Sequence, residues 1–531
     1  MSYREYVPWV LEYSDSTTTM DARIRLTFLL FTSCVLIVNG YKSATISFNQ
    51  DTSVTLRNPF RGFMAYSLTT NPNTTSFPTS LEYQYINMSD VNPAQDQYDF
   101  SSIEAFANDA VQRGNHFVFR VVVDYPGMGS LVPAYLTQGA AAVTFTSYTS
   151  YGGGQSPDYN NTRLITAMTH LIAALGRAYD GDKRIAAIEL GLLGFYGEWH
   201  TFVDSGNQPP FAPRSVQITI LNAWNASFNI TPLVNSQDEY QYWSSSDAST
   251  SQSGYARYKN IGRFDDNFGV QTYNASNPDD ANNFYYRAIA AGDGDSWKYT
   301  MRGGEVQPTI QQDQFKNPTP STVQPFLPAV NAVHTSWLLN DNLFEPASDF
   351  IRRTGCVSFH GLQLYLSNLY ARSDNTTLYI QATIVNTGVA PFYYPLSLYA
   401  SVDGGVSVVF SGTPNSYGGN SSTVVSATVP LSSTSSSSSV LRLWLSSSHA
   451  LSNNPIFLGN NKMDASGGLN LQLQRNTSSG AVISERRHDG GAPPATDTET
   501  VASPSTFSSD GRTSVTGPQT SVQGGSSSAQ R

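Results

Sequence analysis

Read for apolar spacing alone, residues 58–355 alternate between two textures. Short β-rich runs recur in the order "GFMAYSL", "LEYQYINMSDVNP", "HFVFRVVVDYPG", "RIAAIEL", "TPLVNS", "GRFDDNFG", "KYTMRGGEV" and "VHTSWLLND". Between them lie helical patterns. In "FSSIEAFANDAVQRG" the residues Ile103, Phe106, Ala107, Ala110 and Val111 fall on one helical face, and Gly114 stops the helix. "TRLITAMTHLIAALGRAYD" is a second amphipathic helix feeding the strand "RIAAIEL". Eight strands alternating with helices over this length predict an α/β fold, a closed (β/α)8 TIM-like barrel. The competing doubly wound sheet lacks a G-x-G-x-x-G turn after its first strand.

Past residue 355 the pattern changes to period two. "LQLYLSNLYA", "NTTLYIQATIVNTG", "PLSLYASVDGG", "VSVVFSG", "STVVSATVPL" and "VLRLWLSS", punctuated by Gly, Asn and Ser, predict an antiparallel β-sandwich. From residue 476 the chain is Ser, Thr, Gly and Pro with few apolar residues, too little to offset the entropy of ordering, so a disordered tail is expected. The expected organisation is therefore an extension and signal peptide over 1–40, the barrel over 41–355, the sandwich over 356–475 and the tail over 476–531.

Composition narrows the partners. Charged residues are 13% and the net charge is −10, which argues against nucleic acid or an anionic membrane surface. Arg23 and Arg25 precede an apolar run from Leu26 to Val38, with Gly40 two residues after Val38. That is the pattern of a secretory signal cleaved after Gly40, shorter than the roughly 20 residues of a membrane span. A secreted, extracellular protein without a stable membrane anchor after cleavage is expected. Met20 stands just ahead of the signal, so residues 1–19 read as an upstream extension. Asn-x-Ser/Thr sequons, among them Asn73, Asn87, Asn160, Asn225, Asn274, Asn375 and Asn420, suit a secreted glycoprotein. With Cys34 inside the signal, Cys356 is left alone, so no internal disulfide is expected in the mature chain.

Candidate chemistry gathers where a barrel keeps it, at the C-terminal ends of strands. Glu198, in "GLLGFYGEWH", follows the fourth strand, and Glu305, in "MRGGEV", ends the seventh. Such carboxylates share one mouth, and glycosidic bond cleavage needs a pair of them. Tyr196, Trp199 and Trp337 are placed to stack on a sugar ring, and Arg61, Arg120, Asp124, His200, Asn235, Asp266 and His334 complete the expected cleft lining. The plainer reading pairs the strand-end carboxylates with Arg120 in "FVFRVVV", and lets the glycines merely turn the chain. His200 has no second His or Cys at ligand spacing, so no metal is expected. No cofactor is expected either, and neither a G-x-S-x-G elbow nor a phosphate-cradling loop is present in the sequence.

The stretches "NPFRGFMAYS" (58–67), "GLLGFYGEWH" (191–200), "MRGGEV" (301–306), "DFIRRTG" (349–355) and "VNTGVAPFYYPLSLY" (385–399) resemble a family of secreted proteins catalogued as domains of unknown function. That family has a glycoside-hydrolase-like barrel and a trailing β-sandwich, and the similarity runs from about residue 48 to 470. The resemblance implies a carbohydrate context. One departure stands out: barrel glycosidases acting from strands four and seven usually place Asn before the strand-four acid, where this chain has Gly197. Asn235 is then the expected substitute for the missing side chain. The resulting expectation is a glycoside hydrolase with Glu198 as general acid/base, its pKa raised by aromatic neighbours, and Glu305 as nucleophile. The alternative is a non-catalytic carbohydrate-binding or cell-surface wall protein that keeps the barrel as a scaffold.

Overall fold

The computed structural model describes residues 36–38, 41–52, 57–73, 76–203, 205–239, 261–316, 319–344, 360–374, 376–431, 438–461, 463–476 and 480–484. Eight parallel strands close into a barrel: β1 (Gly62–Tyr66), β2 (Leu81–Asn87), β3 (His116–Val122), β4 (Ile185–Glu189), β5 (Leu233–Ser236), β6 (Ile261–Phe268), β7 (Arg302–Val306) and β8 (Trp337–Leu339). Each matches one of the eight apolar runs. Among the described residues five helices of seven or more residues pack outside: α1 (Ser101–Gln112), α2 (Thr162–Tyr179), α3 (Arg214–Ser227), α4 (Phe284–Ala290) and α5 (Phe326–Val333). α2 buries Leu164, Met168, Leu171, Ile172 and Leu175, one stripe at helical spacing, and Asn161 caps it by accepting from the amides of Arg163 and Leu164. The described part of the β1–β2 connection carries no helix.

Period-two alternation decides what each strand sends inward. Met64, Val118, Val234, Phe264 and Trp337 belong to an apolar cluster that continues into the sandwich, while Phe117, Phe119, Val121, Leu233 and Ile261 pack with the helices. Gly303 has a space-making role: a Cβ there would lie 2.1 Å from the Trp337 indole. Trp337 therefore plugs the barrel at the level of Gly303, beneath the strand ends, and does not line a cleft as expected. The glycine is there for the indole, not for a turn.

Two five-stranded antiparallel sheets form the sandwich. One runs Leu36–Val38, Tyr41–Ser47, Leu364–Ser373, Thr377–Asn386, Ser421–Pro430; the other runs Val408–Val409, Ser397–Val402, Ser438–Ser446, Gly468–Asn476, Gly480–Ser484. Leu366, Leu369, Ile380, Ile384, Leu441, Leu443, Leu471 and Leu473 fill the space between them. Three expected boundaries move. Leu36–Val38, expected inside the signal, pairs with the strand Tyr41–Ser47. Residues 41–47 pair with Leu364–Ser373 and so belong to the sandwich, and the barrel begins at Gly62. At the other end, "GAVIS" (480–484) pairs with Gly468–Asn476, because its apolar run interrupts the Ser/Thr composition expected of a tail. Residues 1–35, Cys356, the "DFIRRTG" stretch and residues 485–531 lie outside the described residues. Among those described, no helix is long and apolar enough to cross a membrane.

The "NPFRGF" segment joins barrel to sandwich. Asn58 is fully buried, its side chain donating to the Phe457 carbonyl at 3.0 Å and accepting from the Phe457 amide at 2.7 Å. Phe60, at φ +62°, sits 4.0 Å from His116, 4.8 Å from Tyr394 and 5.5 Å from Phe392 between ring centroids. Arg61 donates to the His360 carbonyl at 2.8 Å, and burial lowers its pKa to about 10. It precedes β1, so it lies at the base of the barrel, opposite the strand ends where it was expected to meet substrate. We predict that Asn58→Ala costs about 2 kcal/mol of unfolding free energy, since it strands a buried amide and carbonyl. Urea unfolding followed by tryptophan fluorescence checks this; a loss below about 0.5 kcal/mol would mean the seam contributes little.

Candidate active site

The segment from Leu190 to His200 leaves β4 and folds back on itself. Leu192, Gly194, Tyr196, Gly197 and Trp199 all have positive φ, between 54° and 80°. Such backbone persists only where surroundings over-determine it. Here the Leu192 amide donates to Val121 O (2.8 Å), Tyr196 to Asp124 O (2.9 Å), Glu198 to Phe195 O (2.8 Å) and Trp199 to Leu193 O (3.0 Å). The Trp199 indole is fully buried and donates to Leu190 O at 2.8 Å, so it anchors the turn and cannot stack on a ligand as expected. At Gly197 a Cβ would lie 2.9 Å from Gly191 Cα and 3.2 Å from Arg120 Cδ. The residue that replaces the usual Asn is thus the floor against which an arginine packs.

That arginine organises the site. Arg120, on β3, is 2% exposed. It reaches Glu189 (Nη2 to Oε2, 2.7 Å), Glu198 (Nη1 to Oε1, 3.1 Å), Asp266 (Nη2 to Oδ1, 3.2 Å) and the Tyr196 carbonyl (3.1 Å), and lies over the Phe264 ring at 4.2 Å. Ser236 Oγ donates to Asp266 Oδ2 at 3.0 Å. His200 Nε2 approaches Glu198 Oε2 at 3.4 Å and Asp238 Oδ2 at 4.0 Å. Its Nδ1 accepts from the Phe202 amide at 3.2 Å, which leaves the neutral ring's proton on Nε2, facing Glu198.

Charge is unevenly shared. Burial disfavours an ionised Glu198, but the His200 hydrogen bond and Arg120 outweigh it and hold this carboxyl below its ordinary range. For Glu305 the balance reverses. Burial, then the negative charge of Glu198, push it up to about 8 against the pull of Arg120. Burial and Glu198 likewise lift Asp266 well above the carboxylate range, and burial lifts Glu189 despite Arg120. Burial works against a protonated His200, but Glu198 and Asp238 raise it overall. The expectation of a raised Glu198 is overturned: aromatic neighbours are present, but a cation and an imidazole touch this glutamate and not Glu305.

A row of tyrosines forms one wall. Tyr66 and Tyr85 lie 6.5 Å apart between ring centroids, Tyr85 and Tyr125 5.3 Å, and Tyr125 and Tyr196 4.9 Å. Tyr66, Tyr83, Tyr85 and Tyr125 all feel the charge of Glu305, and Tyr125 and Tyr196 that of Glu198. Glu305 itself is partly exposed.

Of the residues expected in the cleft, Glu198, Glu305, Arg120, Tyr196, His200 and Asp266 come together. The others do not. Asp124 is buried and accepts from Tyr148 (2.7 Å) and Ser156 (2.5 Å), tying down the hairpin of Phe145–Tyr148 and Gly154–Pro157. Asn235 sits between the inward-facing Val234 and Ser236, so its buried side chain points toward the helix layer, and it cannot stand in for the missing Asn. His334 ends α5 in a left-handed conformation near the barrel base, stacked on Trp297 at 3.5 Å. Glu189, Ser236, Asp238, Tyr66, Tyr85 and Tyr125 were not anticipated. The signal for two of them was present: Tyr83 and Tyr85 share a face of "LEYQYIN", and Glu189 is a charge inside a buried run. Among the described residues no cluster of His, Cys, Asp or Glu has the arrangement of a metal site.

No protein-family model matches the chain, and no curated protein sequence does either. Solved structures with some likeness are glycoside hydrolases. An endo-glycoceramidase II from Rhodococcus sp., in complex with ganglioside GM3, is 12% identical with a TM-score of 0.37, covering 71% of this chain and 97% of its own. The catalytic domain of a β-amylase from Paenibacillus polymyxa is 13% identical with a TM-score of 0.32, covering 54% of this chain and 91% of its own. A xylanase from Paenibacillus barcinonensis is 11% identical with a TM-score of 0.30, covering 48% and 71%. At such scores the likeness assigns no activity, and the barrel itself rests on its own closed sheet.

Proposed function

We propose that this chain is a secreted glycoside hydrolase that cleaves an O-glycosidic bond of a glycan or polysaccharide. The observation that carries the reading is geometric: two glutamates, one after β4 and one on β7, share a tyrosine-walled cleft. Of the two, Arg120 and His200 contact Glu198 alone, which favours its ionised form, while burial favours a neutral Glu305. Pairs of titratable groups whose surroundings push their pKa values apart mark acid and base assignments. The roles therefore exchange relative to the expectation from sequence. Glu305 donates its proton to the glycosidic oxygen as the C–O bond breaks. The Glu198 carboxylate either attacks the anomeric carbon or takes a proton from the attacking water. The elements of water are divided, hydrogen to the leaving sugar and hydroxyl to the anomeric carbon. Arg120 positions Glu198, and the tyrosine wall suits the C–H faces of a pyranose.

One observation favours the runner-up. Arg120 grips Glu198 together with Glu189 and Asp266, as a purely structural ion cluster would. A non-catalytic carbohydrate-binding scaffold keeps such a cluster without turnover.

Two measurements separate the readings. Against a panel of aryl glycosides and polysaccharides, Glu198→Gln and Glu305→Gln are each expected to lower kcat/KM by about a thousandfold, with Tm changed by only a few degrees. Activity surviving both substitutions would clear these residues of a catalytic role, and absence of turnover across the panel by the unaltered protein would favour the scaffold. The pH profile of kcat/KM is expected to be bell-shaped. Below the lowered pKa of Glu198 the needed carboxylate is lost, and above about 8 Glu305 loses the proton it must give. A profile falling from pH 5 upward would contradict the assignment of Glu305 as acid.

A further inference from the structure

A second site lies outside the barrel. A groove of about 850 Å³ runs between α4 and α5 and down to the turn before β7. Strand alternation separates it from the cleft: Arg302 reaches the groove while Glu305, three residues on, faces the barrel mouth. Tyr273 and Tyr285 line its upper part with ring centroids 5.0 Å apart. Trp297 lines the lower part. His334 stacks on that indole at 3.5 Å and an interplanar angle of 9°, and Tyr393 of the sandwich donates to the Trp297 carbonyl at 2.7 Å. The ring is thus fixed before any ligand arrives. Beside it stand Tyr299, 67% exposed, and Tyr417 of the sandwich, 48% exposed, with centroids 6.4 Å apart.

The charged side chains of the lining are already held by groups of the protein. Lys298 Nζ pairs with Asp295 Oδ1 at 3.0 Å. The Arg302 guanidinium is turned into the carbonyls of Asp293 and Gly294 and the hydroxyl of Ser296. Burial lowers His334 to about 4, so the imidazole is uncharged at neutral pH. A volume in the range of small-molecule sites, rigid aromatic planes, polar groups at the rim and cations already engaged by protein groups describe the complement of a neutral sugar chain. We infer that this groove on the flank of the barrel, extended by the neighbouring exposed rings of Tyr299 and the sandwich's Tyr417, is a carbohydrate-binding site for neutral oligosaccharides, separate from the cleft that holds Glu198 and Glu305. The inference stands apart from the hydrolase reading.

The test uses the full-length protein and isothermal titration calorimetry with cello-, xylo-, malto-, laminari- and N-acetylchitohexaose, and hexagalacturonate as the anionic comparison. Tyr299→Ala, Tyr417→Ala and the double variant remove exposed rings and leave the fold alone; Trp297→Ala, which breaks a packed stack, serves as a secondary variant. At least one neutral hexaose is expected to bind, and the double variant to bind it about tenfold or more weakly, the loss typical of truncated aromatic anchors. Turnover of a short aryl glycoside, if present, is expected to be unchanged in the double variant. Tyrosine-dependent binding without any turnover would sink the hydrolase reading and sustain this one. Equal binding by the double variant and the unaltered protein, binding of hexagalacturonate alone, or no binding to the panel would overturn it.

Discussion

One buried guanidinium faces more carboxylates than a single positive charge can neutralise, and the chemistry of the barrel mouth follows from that shortage. Arg120 touches Glu189, Glu198 and Asp266, and its field reaches Glu305. In a site shielded from water each added negative charge costs more than it would at the surface. The deficit is met by keeping protons, and geometry decides where. Glu198 lies within reach of both Arg120 and His200 and stays ionised. The Glu305 side chain makes no hydrogen bond among the described residues, and burial pushes its pKa up to about 8, which favours the protonated form at neutral pH. A donor and an acceptor of protons thus arise from two identical side chains.

The fold serves this arrangement in a specific way. Arg120 is brought inward by strand alternation on β3, and the glutamate it holds comes from a turn too tight for ordinary residues. Gly197 lets that turn press against the arginine side chain. Trp199 pins the turn from beneath, and Asp124, by binding Tyr148 and Ser156, fixes the hairpin beside it. The side chains nearest Glu198 in sequence thus divide the labour. Tyr196 and His200 face the cleft, while Trp199 is spent on the core.

Much of the architecture was legible because it is written in periodicity. All eight barrel strands, helices α1 and α2 and six strands of the sandwich coincide with apolar runs of the right spacing. Boundaries were less so. Tyr41–Ser47 was expected with the barrel it precedes, and its pairing with Leu364–Ser373, far along the chain, puts it in the sandwich. The carboxylate pair was also legible, since glutamates at strand ends four and seven are few. Its ionisation was not. Which glutamate Arg120 would touch depends on a turn whose backbone no spacing rule specifies. Aromatic and ionisable residues were judged by nearness to strand ends, and this misplaced Trp199, Trp337, Arg61, Asn235 and His334. Trp337, Arg61 and His334 are claimed by packing or hydrogen bonds from segments remote in sequence, Trp199 by its own turn, and Asn235 by the pleat of its strand.

The account stands or falls on the order in which the two glutamates lose their protons. Carbon-13 labelling of glutamate carboxyls, with Glu198→Gln and Glu305→Gln used to assign the two resonances, allows a direct NMR titration of the free protein. The predicted result is a Glu305 signal that titrates near 8 and a Glu198 signal that titrates below the ordinary glutamate range. Two carboxyls titrating together near 4.5, or Glu198 losing its proton after Glu305, would contradict the account.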